Sequence, residues 1–308
     1  MITFLQKITK ILTIVGIFIM VMVTNYHDVS ANYKADYYLR TGSRNLLLAK
    51  SFHVDFNVDI TGKDYNFSTV INSDVENVKQ MVKTDFFING YFKEKNFSEQ
   101  FQQYADFSGS TDNLYTYDGK QWTRMSSPKQ TPAKLTVEQI NYIDYKVNTV
   151  FAGVITNEII TENSEYALID IKVNIEKAKQ AFIKEFYPKI TATELQEINT
   201  VLHNVGDLDI IVKYNKRNMM LEEHKLDLSR PVATVAINML DLWGGNNKNK
   251  DLYKGFFQNF NFVIGASYNR FNQIDDIVVP LEAKVGKLIK ADDVLKAGEE
   301  LSKVAKIN

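Results

Sequence analysis

The sequence contains no cysteine. This absence excludes disulfide bonds, thiolate metal sites and an N-terminal cysteine that could carry a lipid. Prolines are also few, five in 308 residues, and the chain has no repeat of fixed period. With 45% hydrophobic residues, it can bury a core that needs no covalent links. The composition therefore indicates a globular protein held together by side-chain packing.

An excess of charge of one sign is lacking as well. The 36 Lys and Arg residues nearly balance the 37 Asp and Glu residues, which leaves a formal net charge of −1 at pH 7. The basic residues form no stripe interleaved with aromatic side chains. The sequence therefore gives no reason to expect a nucleic acid as partner.

Motifs for catalysis are also missing. The chain has neither the G-x-S-x-G pattern of a serine nucleophile nor a glycine-rich phosphate loop. Its acidic residues do not follow the spacing of a calcium loop. No two histidines lie at the spacing of zinc ligands, which makes a zinc site unexpected. The histidines are His27, His53, His203 and His224. We therefore expect no enzyme, no catalytic residue, no metal site and no cofactor.

The N-terminus carries a pattern of its own. Lys7 and Lys10 precede a run of 13 residues, 11–23, in which only Thr13 is polar. A small-residue site, Val29-Ser30-Ala31, follows. This order is typical of a secretory signal peptide, so we predict export and cleavage after Ala31. Retention of 11–23 as an uncleaved membrane anchor stays open as the alternative.

The clearest strand signal lies soon after this segment. In residues 51–60, SFHVDFNVDI, the even positions are all apolar and the odd positions are all polar. Such alternation predicts a strand with one buried and one solvated face, as in antiparallel sheets. Further strand-like stretches follow at 65–75, 78–92 and 104–117.

Residues 113–125, NLYTYDGKQWTRM, predict a β-hairpin. Asp118-Gly119 is a strong signal for a two-residue type I′ turn, in which both central residues have positive φ. Tyr115 and Tyr117 share one face of the first strand, and Trp122 follows the turn. One face of this hairpin is therefore expected to be aromatic.

The rest of the chain predicts helices and strands in separate runs. Patterns resembling capping boxes at 136–139 and 191–194 predict two helix starts, and a helix at 175–187 ends before Pro188. An amphipathic helix is predicted at 281–308, and a polar loop at 243–255. Strands are predicted at 154–161, 165–173, 207–214, 219–228, 232–242, 256–268 and 274–280.

Strands grouped apart from helices predict an α+β fold with an antiparallel sheet. A dozen strands with one apolar face each need a cover. We therefore expect a curved sheet, an incomplete β-barrel, that is wrapped around or covered by helices. Residues 32–308 would form this single domain after the signal peptide, 1–31.

Several of these stretches together resemble the LolA/LppX-like superfamily of bacterial exported lipid and lipoprotein carriers. They are the signal peptide, 51–60, the hairpin 113–125, the helical insert 135–203, the hairpin 207–228 and 274–280. The resemblance implies an unclosed antiparallel barrel around helices, with an apolar cavity for acyl chains. It also implies a non-catalytic cell-envelope protein that is extracellular, periplasmic or, with an uncleaved signal segment, membrane-associated. Many members carry an N-terminal lipid on cysteine, which this chain cannot.

The abundant aromatic residues, 19 Phe, 16 Tyr and 2 Trp, have two interpretations. They fill a core, or part of them lines a cavity for a lipid, lipoprotein or other amphiphile. With a filled core, the protein would instead be an interaction module that binds another envelope protein or polymer. The expected partners are a hydrophobic or amphiphilic ligand, an envelope protein or the membrane surface. The candidate ligand-binding residues are Phe52, Phe56, Tyr115, Tyr117, Trp122, Ile143, Val147 and Phe151.

Overall fold

The fold is taken from a computed structural model, which describes residues 33–92, 95–129, 153–186, 189–243, 250–257 and 259–289. The α-helices of these residues are α1 (Tyr33–Leu48), α2 (Ile175–Phe186), α3 (Ala192–Val201), α4 (Ser229–Trp243), α5 (Lys250–Phe256) and α6 (Leu281–Lys284). The strands of the first half are β1 (Ser51–Gly62), β2 (Tyr65–Glu76), β3 (Met81–Phe92), β4 (Lys95–Asp106), β5 (Thr111–Tyr117) and β6 (Trp122–Pro128). Those of the second half are β7 (Ile155–Glu162), β8 (Tyr166–Val173), β9 (Leu208–Asn215), β10 (Met220–Asp227), β11 (Asn261–Asn269) and β12 (Lys287–Leu288).

The described strands form one sheet of twelve strands in the order β12-β6-β5-β4-β3-β2-β1-β11-β10-β9-β8-β7. It consists of two antiparallel meanders, β1–β6 and β7–β11, which join where β1 pairs with β11. Only β12 is parallel, on β6. The sheet does not close, because β12 and β7 are its two edges. The predicted α+β fold with an antiparallel, unclosed sheet is confirmed.

The first core lies between α1 and the second meander. Helix α1 packs on β7, β9 and β10. In the same core, Leu39 of α1 and Ile169 of β8 are almost fully buried. Gly42 allows the close approach, because a Cβ at this position would lie 2.1 Å from the ring of Tyr214. Tyr214 is among the largest fully buried side chains of the described residues. Position 42 is therefore glycine because the ring of Tyr214 fills the space that any side chain there would need.

The second core lies on the other face of the sheet, at the far end of the first meander. It is formed by residues 270–289, which we call the C-terminal strap. Ile277, Val279 and Ala283 of the strap are buried against Tyr104 and Tyr115 of β4 and β5. Two hydrogen bonds donated by its backbone fix its course. The N–H of Asn272 donates to the carbonyl oxygen of Ser51 at 2.7 Å, and that of Ile277 to the buried carboxylate of Glu76 at 3.1 Å.

Several predicted elements agree with the structure. The hairpin at 207–228 is β9–β10, and the strands at 154–161 and 165–173 are β7 and β8. The capping box of α3 is also confirmed. The N–H of Glu194 donates to Thr191 Oγ1 at 3.2 Å, while the N–H of Thr191 donates to Glu194 Oε2 at 2.9 Å. The helix predicted from 136 onward lies outside the described residues.

The predicted strand at 232–242 is wrong, because these residues belong to helix α4. Val232, Val235 and Ile237 suggested a strand through their β-branched side chains. The helical spacing of Val232, Ala236 and Met239 decides instead, and Met239 is buried. Asp227 starts the helix, since its carboxylate accepts the N–H of Ser229 at 2.9 Å.

The segments near the C-terminus also differ from the predictions. Residues 274–280 are extended but pair with no strand of the sheet; they pack across its face as part of the strap. Of the helix predicted at 281–308, α6 ends at Lys284 and β12 follows. Residues 290–308 lie outside the described residues. In the predicted loop 243–255, helix α5 begins at Lys250.

The turn between β5 and β6 lies one residue further along than predicted. The N–H of Gln121 donates to Asp118 Oδ1 at 2.8 Å, and the carbonyl oxygen of Gln121 accepts the N–H of Asp118 at 3.4 Å. Gly119 and Lys120 are therefore the central residues. Gly119 has φ +88° and neither Asp118 nor Lys120 has positive φ, so the turn is not type I′. The carboxylate of Asp118 takes over backbone bonding in the turn, which the dipeptide signal did not include.

Candidate ligand-binding face

The sheet has one largely apolar and one largely polar face. Residues that pair directly across antiparallel strands point to the same face, so the register sorts the side chains. On the apolar face Phe56, Ile71, Phe86 and Phe101 stand side by side on β1 to β4. We call them the aromatic row. The rings of Phe86 and Phe101 stack with centroids 4.6 Å apart.

The aromatic row is only partly buried, unlike the core under α1. All four side chains are of intermediate exposure. The described helix α1 packs on β7, β9 and β10, and α4 packs near β11. Among the described residues, the apolar face of β1 to β4 therefore still presents ring and methyl groups, which suits contact with an apolar ligand.

A row of polar side chains crosses the same face next to the aromatic row. Ser73, Thr84, Gln103, Thr116 and Thr123 pair one to the next across β2 to β6. We call them the polar row. The hydroxyls of Ser73 and Thr84 are 3.0 Å apart and hydrogen-bonded, and Gln103 Nε2 donates to Thr116 Oγ1 at 3.2 Å. Ser73 and Thr84 are buried, at 9% and 8% exposure.

Two titratable groups lie beyond the polar row, on β10 and β11. Tyr268 pairs with Val54 of β1, and its hydroxyl lies 3.3 Å from His224 Nδ1. Burial lowers the pKa of His224 to about 4 and raises the pKa of Tyr268 to about 12. Both groups are therefore uncharged at neutral pH.

Aromatic rings cluster on the apolar face where β1 ends and β2 begins. The ring of Phe256 from α5 stacks on Tyr65 at 4.1 Å, and the hydroxyl of Tyr65 donates to the carbonyl oxygen of Phe256 at 3.0 Å. Phe67 lies between Tyr65 and Phe97, with centroids 5.9 and 5.6 Å away. Phe256 itself is 39% exposed. This end of the face is thus aromatic and partly accessible.

The predicted ligand-binding residues fall into two groups on opposite faces. Phe52 and Phe56 lie on the apolar face. Gln103 pairs with Thr116, so Tyr115 and Tyr117 point away from that face, and Trp122 pairs with Tyr117. These five side chains therefore do not line one cavity. The prediction that they do is corrected by the register, since a shift of one residue reverses the face.

The aromatic face of the β5–β6 hairpin is covered by the C-terminal strap. Tyr115 is 9% exposed, and Trp122 packs against the same cluster. The rings of Tyr117 and Trp122 have centroids 5.2 Å apart. The hairpin aromatics thus form a small core. Of the other predicted residues, Ile143, Val147 and Phe151 lie outside the described residues.

The polar row and Tyr268 were missed from the sequence. Within β2 and β3 the positions of one parity read Tyr65, Phe67, Thr69, Ile71 and Ser73, then Val82, Thr84 and Phe86. Ser73 interrupts the apolar positions of β2, and Thr84 interrupts those of β3. Together the two hydroxyls indicate a polar site on an otherwise apolar face. It becomes visible only when the register aligns Ser73 with Thr84.

The polar face carries one compact charged cluster. His53 Nδ1 lies 2.7 Å from Asp74 and Nε2 lies 2.9 Å from Asp55. Arg270 also approaches Asp74, at 3.6 Å. Burial of the ring disfavours its charged form, but the hydrogen bonds to both carboxylates outweigh this and raise the pKa of His53. The cluster ties β1, β2 and the end of β11 together.

Other surfaces of the described residues offer little chemistry. A groove of about 510 Å³ between α3 and α4 is lined by amide, aliphatic and a few titratable groups, including His203. No group of three or more His, Asp or Glu residues in the described part of the chain is arranged to hold a metal ion. Within the same residues, none of the helices combines the length and apolar character needed to cross a bilayer.

Comparison with known proteins gives a structural likeness. No family model matches the chain, and no curated protein sequence matches it. Among solved structures, the lipoprotein LppX of Mycobacterium tuberculosis is similar, with 10% sequence identity and a TM-score of 0.32. The match covers 79% of this chain and 97% of the LppX chain. Neither the identity nor the TM-score places this chain in a family.

Proposed function

We propose that this protein is a non-catalytic binding protein for a lipid, lipoprotein or other amphiphile, acting at the cell envelope after export. The observation that carries the proposal is the apolar face of β1 to β4. Its aromatic row, three phenylalanines and Ile71, runs without a gap across four strands, and these side chains are partly exposed. Such a surface binds a ligand through apolar contact and needs no catalytic group.

The dimensions and energies of the face suit an acyl chain. Four adjacent strands span roughly 14 Å at the usual spacing of about 4.8 Å. That is the length of an extended chain of about ten carbons. Each buried CH₂ contributes about 0.8 kcal/mol. Even after association costs of several kcal/mol, partial burial of such a chain supports micromolar binding.

Calorimetric titration of the delipidated protein with a decanoyl amphiphile tests the proposal. Phe86 and Phe87 are neighbours on β3 that point to opposite faces, so Phe86→Ala and Phe87→Ala form a matched pair. We expect Phe86→Ala to weaken binding about tenfold through lost apolar contact, and Phe87→Ala to leave it unchanged. Absence of saturable binding, or equal losses in both variants, would overturn the proposal.

Export is part of the proposal and has its own test. Cleavage after Ala31 would be read by N-terminal sequencing of the protein isolated from its native cells. A chain that begins at Met1 and sediments with membranes would show an uncleaved anchor instead.

A second candidate function is an interaction module for another envelope protein. The observation that favours it is a group of exposed apolar side chains on the strap, 51–76% accessible. They are Val278, Leu281, Val285 and Leu288. Leu281→Ser with Val285→Ser should then abolish capture of a partner and leave amphiphile binding intact. The reverse outcome would assign the strap no part in binding.

A further inference from the structure

Building on the proposed function, we infer that the amphiphile has an uncharged polar group, such as an ester or hydroxyl, and that the polar row binds it. The polar row is the one interruption of the apolar side chains between two apolar rows of β2 to β4. On one side stands the aromatic row, and on the other stand Val75, Val82 and Ala105. A ligand lying on the face would thus meet hydrogen-bonding groups at one defined level.

The buried hydroxyl pair keeps bonding capacity for a ligand. Ser73 and Thr84 each have one donor hydrogen and two acceptor lone pairs. Their mutual bond at 3.0 Å uses one hydrogen and one lone pair. The second hydrogen and the other lone pairs stay available, although both residues are more than nine-tenths buried. A buried donor of this kind is more stable with an acceptor, which a ligand ester or hydroxyl oxygen supplies.

The charges around the row select the class of polar group. On the described strands β1 to β6, the polar row and its two flanking rows carry no charged side chain. Glu99 and Asp112, both acidic, stand two rows away on either side. His224 and Tyr268, beyond Val54, are uncharged at neutral pH. The cation that continues the row is Lys287, which pairs with Thr123 at the sheet edge. It lies four strands from Thr84, or roughly 19 Å at the usual strand spacing. A carboxylate on Ser73 and Thr84 would therefore lose its water without a cation beside it, whereas a neutral group loses little.

The two rows together define how the ligand lies. Neighbouring rows on one face are separated by two residues along a strand, or about 7 Å. A head group on Thr84 therefore leaves the first carbons of its chain over Phe86. The chain then continues along the aromatic row, so head and tail use adjacent rows of one surface.

Two ligands that share the same acyl tail and differ in the head group test the inference. We would titrate the delipidated protein by calorimetry with 1-decanoylglycerol and with decanoic acid, at pH 8 and pH 5. We expect the glyceride to bind at least about tenfold tighter at pH 8, and its affinity to change little with pH. The acid should bind tighter at pH 5, where more of it is protonated. Equal affinities at pH 8, or tighter binding of the acid there, would overturn the inference.

Variants in the row locate the contact. Thr84→Val and Ser73→Ala should each weaken the glyceride about three- to tenfold, as expected for one lost hydrogen bond, and leave the acid less affected. Thr84→Ser, which keeps the hydroxyl, should restore binding. Ser68→Ala is the matched control for Ser73→Ala. Ser68 lies on β2 like Ser73 but points to the other face, where its hydroxyl donates to Asp59 at 2.7 Å. Thermal unfolding of each variant confirms that the sheet is intact.

The outcomes separate the inference from the function on which it rests. If neither ligand binds, or if Phe86→Ala has no effect, the proposed function fails. If both bind and Phe86→Ala weakens them, but Thr84→Val and Ser73→Ala do not discriminate between them, only the uncharged head group is refuted.

Discussion

Gly119 is a residue whose backbone conformation alone determines its identity. Its φ of +88° lies in the region that side chains with a branched Cβ avoid, and a Cβ at this position would have no atom within 4 Å. We therefore expect Gly119→Val to lower the free energy of unfolding by about 1–3 kcal/mol through strain alone. Urea denaturation measures it.

Gly109 supplies the control for this substitution. It lies between β4 and β5, its φ is not positive, and its nearest contacts to an added Cβ are at 3.9 Å. Gly109→Val should leave stability nearly unchanged. Equal losses at both positions would show that added bulk, and not backbone strain, is responsible.

Two histidines, the buried His224 and the partly buried His53, make the stability depend on pH in opposite directions. His224 has its pKa lowered by burial from 6.5 to about 4, so the unfolded chain binds its proton first. Its contribution is lost as the pH falls from about 6.5 towards 4, by up to about 3 kcal/mol. His53 has a raised pKa, so its contribution is complete below about 6.5 and is lost as the pH rises through that raised value.

Urea denaturation at pH 4.5, 6.5 and 8.5 separates the two residues. We expect His224→Leu to reduce the loss of stability between pH 6.5 and 4.5. His53→Gln should reduce the loss between pH 6.5 and 8.5, and should leave the acid range unchanged. If His53→Gln flattens the acid range instead, the carboxylates of Asp55 and Asp74 do not hold the ring in its charged form.

At the scale of the element, the strap depends on one close approach. A Cβ on Gly286 would lie 2.8 Å from the carbonyl oxygen of Trp122, where β12 pairs with β6. Gly286→Val should therefore detach the end of the strap and expose Trp122 to water. In a Trp243→Phe background, we expect the emission of Trp122 to shift to longer wavelength.

The control for the strap is Gly255→Val, because a Cβ at Gly255 meets nothing within 4 Å. It should leave the emission unchanged. Because Trp122 points away from the apolar face, addition of a decanoyl amphiphile should not alter its emission either. A saturable change on titration would show that the ligand contacts the hairpin or the strap.

The elements that the sequence predicted well are those with local signals. The alternation of 51–60, the β9–β10 hairpin and the capping box at Thr191 each depend on residues close in sequence. Helix α4 was missed because Val232 and Val235 have β-branched side chains that favour strands in isolation. The strap was missed because the apolar 274–280 stretch packs across the sheet instead of pairing within it.

The candidate site was less predictable than the fold because it depends on register. Phe56 and Phe86 come from different strands, and the sequence does not state which residues they face. The same holds for Thr84 and Gln103, whose polar character looks ordinary until they align. Of the predicted ligand-binding residues that the structure describes, only Phe52 and Phe56 lie on the face that we propose for binding.

At the scale of the whole molecule, the two faces have separate tasks. The polar face carries the strap and the charged cluster around His53. The apolar face carries the core under α1 at one end and the aromatic row towards the other. Substitutions on the strap side should therefore change the stability of the fold and leave the affinity for the ligand unchanged. Substitutions in the aromatic row should change that affinity.

The seam between the meanders, where β1 pairs with β11, also limits how early the sheet can be completed during synthesis. Across this seam Asn269 reaches Asp55, residues 214 apart in the chain. At about 5–20 residues per second, the ribosome needs roughly 10–40 s to add β11 after β1 has emerged. During that interval the first meander has its neighbours β2 to β6 but an unpaired edge at β1. Contacts of such long sequence separation form slowly, so the nascent chain exposes its apolar face well before it acquires its native sheet.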